Sequence, residues 1–483
     1  MVCLLKMTHE EQLARARVIL EGPRGPVHLM GIAGVGMAGL AVQLAGHGFK
    51  VSGCDVSGNS MSKWIQEQGL RFTLGHEPTH ITDGLLALIH TAAVDPQDPE
   101  IKAARAIGVP VLARGAVLPA LLDGKVAVAV GGAHGKTTTT TMIAQVLRAA
   151  GIDTSYCIGA EVDILGGVAR AGRDATIVVE ADESDGTLAL YAPDYAVITN
   201  IEMDHVDYFT SRESLMECFG TFAGNARKKV IYCADDPGAL ELLANHPKGL
   251  SYGLHKGASL RARHVELEPR SVRFEVVSND WKTGWMELPI PGTHNVANAL
   301  AACAVALELG IPFDVVRGSM AAFGPARRRF ETVAQGGGVT VVSDYAHHPT
   351  EIRCLVRQAR GLAPGRIVAV YQPHRYSRTR ALGPEFPPAF AGIDRLILAP
   401  VYAASENPIE GGTSNDLFRL CERAGLQHVE NAASLEEAWT NVKDDLRPGD
   451  LFLVIGAGDV EKIAAWAKDM LQTRLAPDKN VAE

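Results

Sequence analysis

Short apolar segments that run within a residue or two into glycine, an acidic residue or asparagine recur along this chain. The first of them are Val27–Met30, Val126–Val130, Ile177–Val179, Tyr195–Thr199 and Val230–Cys233. Helical patterns lie between them, such as Thr137–Ala150, which Gly151 closes. Short buried strands that alternate with helices are typical of parallel sheets. The alternation therefore predicts an α/β fold.

The chain has 483 residues, more than one hydrophobic core usually organises. We predict three domains: a Rossmann-like N-terminal domain (1–125), a central P-loop ATPase-like domain (126–323) and a C-terminal Rossmann-like α/β domain (324–483). Alternating segments and polar turns within 251–290 indicate a small antiparallel insert in the central domain, before a helix at about 294–309. Later strands are expected at Val339–Ser343, Ile367–Tyr371, Leu396–Pro400 and Leu451–Ile455.

Charge and cysteine content exclude several classes of protein. A net charge of −9 argues against a nucleic-acid binder, which usually has a basic excess. The eight cysteines form no CxxC pair, so we expect neither a disulfide framework nor a zinc site. The same cysteine pattern predicts a reducing compartment.

Charges within 1–26 interrupt any signal-peptide core, and no apolar run approaches the roughly 18 residues of a membrane span. We therefore expect a cytoplasmic protein without membrane insertion; monomer and weak dimer both stay open.

A first glycine-rich turn follows Val27–Met30. Gly34, Gly36 and Gly39 fit the pattern GxGxxG, and Asp55 follows at the end of a second strand. Such glycines let the backbone approach a diphosphate at a helix N-terminus, while the acid can accept from a ribose hydroxyl. The pattern favours a diphosphate-bearing ligand over a bare turn, but it does not distinguish NAD from another nucleotide.

A second glycine-rich turn follows Val126–Val130 and leads through Gly131–Gly135 to Lys136 and five consecutive threonines. This context is that of a P-loop, in which Lys136 would neutralise ATP phosphates and Thr137 would meet Mg²⁺. The spacing departs from GxxxxGK[ST], because Val130 stands where the first glycine should be. The alternative is a surface turn with a solvated lysine.

Acidic residues follow the next strand, in the run Glu180-Ala181-Asp182-Glu183-Ser184-Asp185. Carboxylates this close repel one another unless a cation lies among them, which Mg²⁺ beside ATP would supply. The strand after that ends near Asn200 and His205, at the same expected sheet edge. A solvated acidic turn and a structural histidine are the alternatives.

Several motifs together resemble those of the Mur ligases. They are Gly132-Ala133-His134-Gly135-Lys136-Thr137-Thr138, Glu180–Asp185, Asn200-Ile201-Glu202-Met203-Asp204-His205, Gly292-Thr293-His294-Asn295, Arg328-Arg329-Phe330-Glu331, Asp344-Tyr345-Ala346-His347-His348-Pro349 and Gln372–Thr379. The resemblance runs from about residue 27 to about 460. It implies an ATP-dependent, amide-forming ligase that joins L-alanine to the lactyl carboxylate of UDP-N-acetylmuramate through an acyl phosphate.

The resemblance also implies roles for individual residues. The UDP-sugar would contact Gly34, Gly36, Met37, Asp55 and Thr91. ATP would contact Gly132, His134, Gly135, Lys136, Thr137, Thr138, His294, Asn295 and Asp344. Mg²⁺ would be bound by Thr137, Glu180 and His205. L-Alanine would contact Tyr345, His348, Arg375 and Arg378, and the catalytic groups would be Lys136, Arg329 and His348.

Three alternatives stay open from sequence: a related ligase that attaches a recycled tripeptide to the same muramate, a dehydrogenase using the first glycine turn, and a non-catalytic UDP-sugar-binding module. The chain also departs from the family pattern at four positions. Ala33 replaces a frequent glycine, Cys54 and Thr91 replace serines, and Ala133 replaces the threonine of the P-loop. Losing the hydroxyl at Ala133 would weaken a phosphate contact by about 1 kcal/mol.

Overall fold

The structure, a computed structural model, describes residues 7–475. The ends of the first and third predicted domains, with Cys3, lie outside the described residues. Three sheets follow one another along the chain, which confirms the predicted α/β class with three successive units. Within the described part of the chain, no helix is both long and apolar enough to cross a lipid bilayer.

The first sheet has five parallel strands in the order β3-β2-β1-β4-β5. Its strands are β1 (Pro26–Met30), β2 (Lys50–Asp55), β3 (Arg71–Leu74), β4 (Ala87–His90) and β5 (Val111–Ala113). Its helices are α1 (His9–Glu21), α2 (Val35–Gly46), α3 (Ser60–Glu67), α4 (Pro99–Ala106) and α5 (Arg114–Ala120). The strand order reverses at β1, so the first glycine turn lies at the switch point where such sheets bind ligands.

The second sheet has ten strands in the order β15-β14-β13-β12-β11-β10-β6-β9-β7-β8. Its strands are β6 (Val126–Gly131), β7 (Ser155–Cys157), β8 (Ala169–Arg170), β9 (Thr176–Glu180), β10 (Tyr195–Ile198), β11 (Lys229–Cys233), β12 (Gly249–Gly253), β13 (Leu260–Leu267), β14 (Val272–Ser278) and β15 (Trp285–Leu288). Its helices are α6 (Lys136–Ala149), α7 (Arg212–Gly224), α8 (Pro237–Leu243), α9 (Thr293–Glu308) and α10 (Phe313–Ala321).

The predicted antiparallel insert is the outer part of this second sheet. Strands β13, β14 and β15 pair antiparallel with one another, but β13 pairs parallel with β12. Strand β12 itself pairs parallel with β11. The antiparallel segment therefore begins at Leu260, and the residues before it still belong to the parallel core.

The third sheet has six strands in the order β16-β17-β21-β18-β19-β20, and only the edge pair β16–β17 is antiparallel. Its strands are β16 (Glu331–Gly336), β17 (Val339–Asp344), β18 (Arg366–Tyr371), β19 (Arg395–Leu398), β20 (Val429–Asn431) and β21 (Asp450–Ile455). Its helices are α11 (Pro349–Gly361), α12 (Tyr376–Ala381), α13 (Phe386–Ala389), α14 (Ser414–Arg423), α15 (Leu435–Lys443) and α16 (Glu461–Leu475).

Helix α6 is buried although it opens with a run of threonines. The hydroxyls of Thr140 and Thr141 donate to the carbonyls of Lys136 and Thr137, at 2.8 Å each. These bonds to the preceding turn satisfy polar groups that would otherwise be costly to bury. The apolar helix α9 packs alongside α6 in the same core. The packing of α6 against α9 therefore fixes the position of its first turn, which carries Lys136.

Candidate active site

The loop between β6 and α6 is fixed by the end of strand β10. Gly132 has a φ of 136°, and a Cβ at this position would lie 2.0 Å from the Thr199 hydroxyl. That hydroxyl donates to the His134 carbonyl at 2.6 Å. Asn200 accepts from the His134 amide at 2.8 Å and donates to the same carbonyl at 2.9 Å. A loop held in this way keeps its conformation before any ligand arrives.

Lys136 is bound to an acid of the run that follows β9. Its Nζ lies 2.9 and 3.0 Å from the two carboxylate oxygens of Glu183, which is only 2% exposed. Burial alone would lower the pKa of Lys136, but Glu183, Asp182 and Glu180 outweigh burial and raise it. The lysine therefore stays charged. The sequence predicted Mg²⁺ among these acids, and the structure places the Lys136 ammonium group there.

The predicted Mg²⁺ ligands follow three neighbouring strands of the second sheet: Thr137 lies in the first turn of α6 after β6, Glu180 ends β9, and His205 lies in the loop after β10. The Thr137 hydroxyl donates to Glu180 at 3.1 Å, and the Gly159 amide donates to the same carboxylate at 2.7 Å. His205 contacts Glu183, with 3.7 Å between Nε2 and Oε1. Its Nδ1 is buried and has no hydrogen-bond partner among the described residues. A hydroxyl and a carboxylate suit Mg²⁺, and the unpartnered Nδ1 leaves His205 able to bind a ligand.

A network that the sequence did not predict joins the second and third units. His134 Nε2 lies 2.9 Å from Glu202 Oε2, and His134 Nδ1 lies 3.3 Å from Glu351 Oε1. The Thr350 hydroxyl, from the third unit, donates to Glu202 at 2.6 Å. Burial alone would lower the pKa of His134, but Glu202 and Glu351 raise it to about 9. The same contacts outweigh burial and lower the pKa of Glu202 to about 2. The pair is therefore ionised at neutral pH.

His348 occupies the N-cap of α11, at the boundary between these two units. Its Nδ1 accepts from the Thr350 amide at 3.2 Å, and its ring lies 4.6 Å from that of His134. Its Nε2 is buried and has no hydrogen-bond partner in the described chain. Burial and the neighbouring His134 lower the pKa of His348. The side chain is thus a neutral imidazole with one nitrogen available at neutral pH.

Arg329 and Asp344 face the second unit from the start of the third. Asp344 accepts from the amides of Phe330 and Ala346, at 2.7 and 2.8 Å. The Arg329 guanidinium lies 5.4 Å from the centre of the Tyr345 ring, a cation–π distance. Burial raises the pKa of Asp344, although Arg329 opposes this shift.

The two arginines predicted for L-alanine both pair with acids of the second unit. Arg378, which is 4% exposed, donates through Nε to Asp204 at 2.8 Å. Arg375 donates to Asp207 at 2.7 Å. Arg378 also donates through Nη1 to the His374 carbonyl at 3.2 Å. The structure therefore places both arginines at the boundary between the units, where sequence spacing alone gave no partner.

A cavity of about 920 Å³ separates the second unit from the third. Its lining includes the predicted ATP residues His134, Gly135, Thr138, His294, Asn295 and Asp344, together with Arg329. Burial, followed by the nearby Arg329, lowers the pKa of His294 to about 4, so this side chain is neutral. The volume is within the range of small-molecule sites, roughly 300–1,000 Å³.

The first glycine turn is a separate site at the end of β1. Asp55 accepts from the Ala33 amide at 3.1 Å, and thus braces the turn from β2. A Cβ on Gly31 would lie 2.5 Å from the Thr91 methyl group. Met37 is 2% exposed and packs in the hydrophobic core beneath the turn.

Arg114 adds a cation to this first turn that the glycine pattern does not reveal. A Cβ on Gly36 would lie 3.1 Å from its Nη1. Its Nη2 lies 3.2 Å from Asp182 of the second unit.

The fold and these sites define a three-unit α/β protein with a P-loop that faces an interdomain cavity. Family models match nearly the whole described chain: "Mur ligase family, catalytic domain" at 26–125, "Mur ligase middle domain" at 130–306 and "Mur ligase, glutamate ligase domain" at 328–458. The chain belongs to the Mur ligase family, which confirms the resemblance found in the sequence. Members of this family are ATP-dependent ligases.

Individual relatives agree with this assignment. The UDP-N-acetylmuramate–L-alanine ligase of Kineococcus radiotolerans is 41% identical over 93% of this chain and 97% of its own length. The ligase of the same name from Desulforamulus reducens is 38% identical over 91% of this chain and 96% of its own. Among solved structures, UDP-N-acetylmuramate-alanine ligase MurC from Thermotoga maritima matches with a TM-score of 0.80 and 26% identity, covering 93% of this chain and 99% of that one.

Proposed function

We propose that this protein joins L-alanine to the lactyl carboxylate of UDP-N-acetylmuramate while ATP is converted to ADP and phosphate, a step in building peptidoglycan. The observation that carries the proposal is the shared cavity. P-loop residues His134 and Gly135 line it from one side, and Arg329 and Asp344 line it from the other. The near full-length similarity to L-alanine ligases supports the choice of substrates.

The chemistry requires activation of a carboxylate, because oxide is a poor leaving group. A lactyl carboxylate oxygen attacks the γ-phosphorus of ATP, and the bond to the ADP oxygen breaks. The alanine amine then attacks the acyl phosphate carbon, giving a tetrahedral intermediate that expels phosphate as the amide forms and the amine loses a proton. Both steps gather negative oxygens, so catalysis depends on positive charge that is already in position.

We assign this charge to Lys136 and Arg329. Lys136 would exchange its contact with Glu183 for phosphate oxygens, and Arg329 would meet them from the opposite side of the cavity. Thr137, Glu180 and His205 would hold Mg²⁺, which would neutralise charge on the phosphate oxygens when bound. His348 is a neutral imidazole whose Nδ1 accepts from the Thr350 amide, so its proton lies on Nε2, and we assign that N–H the role of orienting the L-alanine substrate while the amine proton leaves to solvent.

The remaining ligand contacts follow the predicted sets. We propose that ATP contacts Gly132, His134, Gly135, Thr138, His294, Asn295 and Asp344. The UDP-sugar would lie on Gly34, Gly36, Met37, Asp55 and Thr91. L-Alanine would lie near Tyr345, His348, Arg375 and Arg378. Arg378 uses Nε and Nη1 for its protein contacts, so Nη2 is the group that would meet the alanine carboxylate.

We also propose that the three sheets mark domains at 1–125, 126–323 and 324–483. The sheets begin and end within these bounds, with strands at 26–113, 126–288 and 331–455. The proposed substrates place the reaction in the cytoplasm, and it needs neither nucleic acid nor insertion into a membrane.

Phosphate release tests the function directly. With UDP-N-acetylmuramate, ATP and Mg²⁺, we expect release to depend on L-alanine and the product to gain one alanine by mass. Replacing L-alanine by the recycled tripeptide tests the alternative of a tripeptide-adding ligase. Measuring NADH binding tests the alternative of a dehydrogenase. If the tripeptide supported faster turnover than L-alanine, the assigned amine substrate would be wrong. If release did not exceed that of Lys136→Ala, the chain would be a binding module.

A further inference from the structure

Four side chains that the proposed reaction does not use, three of them buried and one partly buried, meet inside the first unit. His28 lies on β1, Cys54 on β2, His80 in the short turn Pro78–His80 and Glu100 on α4. Cys54 and Glu100 are fully buried, and His28 is 3% exposed. Their nitrogen, sulfur and oxygen atoms all lie within 4.8 Å of one another.

The separations suit four ligands around one ion. His28 Nε2 lies 3.4 Å from Cys54 Sγ and 3.7 Å from Glu100 Oε2, and Cys54 Sγ lies 3.2 Å from that same oxygen. Tetrahedral zinc with bonds of roughly 2.0–2.3 Å separates its ligand atoms by roughly 3.3–3.8 Å. His80 Nδ1 contacts the other Glu100 oxygen and lies within 4.8 Å of the His28 and Cys54 ligand atoms.

The surroundings hold these ligands in the required orientation. His28 Nδ1 lies 2.9 Å from the Ser52 hydroxyl, a contact that leaves Nε2 facing Cys54. The Glu77 amide donates to Glu100 at 2.8 Å. Such outer contacts are typical of metal ligands, in which the second ring nitrogen of a histidine is engaged.

We propose that His28, Cys54, His80 and Glu100 form a structural zinc site. A thiolate and a carboxylate carry two negative charges, so with two neutral imidazoles they balance a divalent cation and leave no net charge in the core. The thiolate favours zinc over Mg²⁺ or Ca²⁺, which prefer oxygen ligands. The four ligands leave no open position, so the ion would have a structural role.

The zinc site would stabilise the first glycine turn through the end of strand β2. The Cys54 carbonyl accepts from the amides of Gly31 and Ile32, at 2.8 and 3.1 Å. Asp55, the next residue, accepts from the Ala33 amide. An ion that joins β1, β2 and α4 at this point would fix the base of the turn. The sequence analysis expected no zinc site, because the four ligands are far apart along the chain and lack CxxC spacing.

Metal content and cobalt substitution test the site on the full chain, purified without a histidine tag. We expect about one zinc ion per chain to remain after dialysis. Cobalt(II) in its place should give visible absorption of tetrahedral geometry and a thiolate-to-cobalt charge-transfer band. Cys54→Ser should lose this band and weaken zinc binding at least tenfold. Cys421→Ser, which changes a buried free cysteine of the third unit, should leave both unchanged.

The site would be refuted by wild-type protein that retains no zinc or gives no thiolate band, or by a band that persists in Cys54→Ser. If Cys54→Ser does not fold, His80→Asn replaces it as the test, because His80 is the most exposed of the four ligands. That variant should keep the thiolate band but shift the cobalt spectrum and weaken zinc binding. An unchanged spectrum and affinity would overturn the proposal. None of these readouts depends on ligase activity.

Discussion

The two glycine-rich turns use the same backbone arrangement with different charges. Each follows a buried parallel strand and leads into a helix, α2 in the first and α6 in the second. The second carries its own cation, Lys136, held by Glu183. The first has no cationic residue between Gly31 and Gly39, and Arg114, at the start of α5, reaches it from outside.

This difference separates binding from chemistry. A turn whose amides face a diphosphate can hold a nucleotide without reacting with it. A turn with a fixed ammonium group can also stabilise the charge that develops during phosphoryl transfer. We therefore expect changes in the second turn to lower turnover, and changes in the first turn to act mainly on the affinity for the UDP-sugar.

The largest expected effect comes from removing the cation of the second turn. Lys136→Ala should lower the rate of ADP formation about 100–1000-fold or more, since a preorganised charge next to the reacting phosphate is lost. Steady-state kinetics with saturating UDP-sugar measure this. Lys468→Ala, at an exposed lysine of α16, is the matched control and should be neutral.

The same variant leaves the buried Glu183 carboxylate without its partner, which typically costs about 3–5 kcal/mol of stability. The double variant Lys136→Ala/Glu183→Gln separates the two effects. It should recover much of the lost thermal stability but none of the activity. Recovery of activity would mean that Lys136 acts only by neutralising Glu183.

A smaller effect is expected from adding one methyl group to each turn. Gly132→Ala places a Cβ 2.0 Å from the Thr199 hydroxyl at a φ of 136°, whereas the nearest atom at Gly34→Ala is the Gly31 carbonyl oxygen at 3.3 Å. With strain of about 1–3 kcal/mol, Gly132→Ala should reduce turnover about 10–100-fold. Gly34→Ala should change the KM for UDP-sugar only a few-fold. Equal losses of turnover in the two variants would contradict the assignment of chemistry to the second turn and binding to the first.

Substitution of Arg114 tests whether this residue supplies the positive charge at the first glycine turn. Arg114→Met should weaken UDP-sugar binding about tenfold, because a charge-assisted contact contributes about 1.5 kcal/mol at the lower end of its usual range. Arg114→Lys should retain part of the UDP-sugar affinity that Arg114→Met loses. Isothermal titration with UDP-sugar and, separately, with an ATP analogue distinguishes the turns: comparable weakening of both ligands would show that Arg114 acts through Asp182 on the second turn.

The sequence predicted the strands, helices and motif residues that depend on short segments. It did not predict the side-chain pairs that form between distant segments. Strand β6, the loop and helix α6 follow from local pattern, and so does the residue Lys136. The partners of that lysine and of His134 do not. Glu351 comes from another unit, and Glu183 stood in an acidic run whose expected cation was a metal. Arg378 was predicted from its motif, but its pairing with Asp204 required the packing of the third unit against the second.

The smallest predicted effect is a pH dependence confined to the second turn. The folded-state pKa of His134 is raised to about 9, above the ordinary value of 6.5. Its pairing with Glu202 and Glu351 therefore contributes fully below about pH 6.5 and is lost as the pH rises through about 9. The difference in Tm between wild type and His134→Gln should shrink by a few degrees across this window. The interval Gly31–Gly39 contains no histidine, so UDP-sugar affinity should change less than twofold over the same range. If the Tm difference stayed constant to pH 10, the contacts of charged His134 with Glu202 and Glu351 would not contribute to stability.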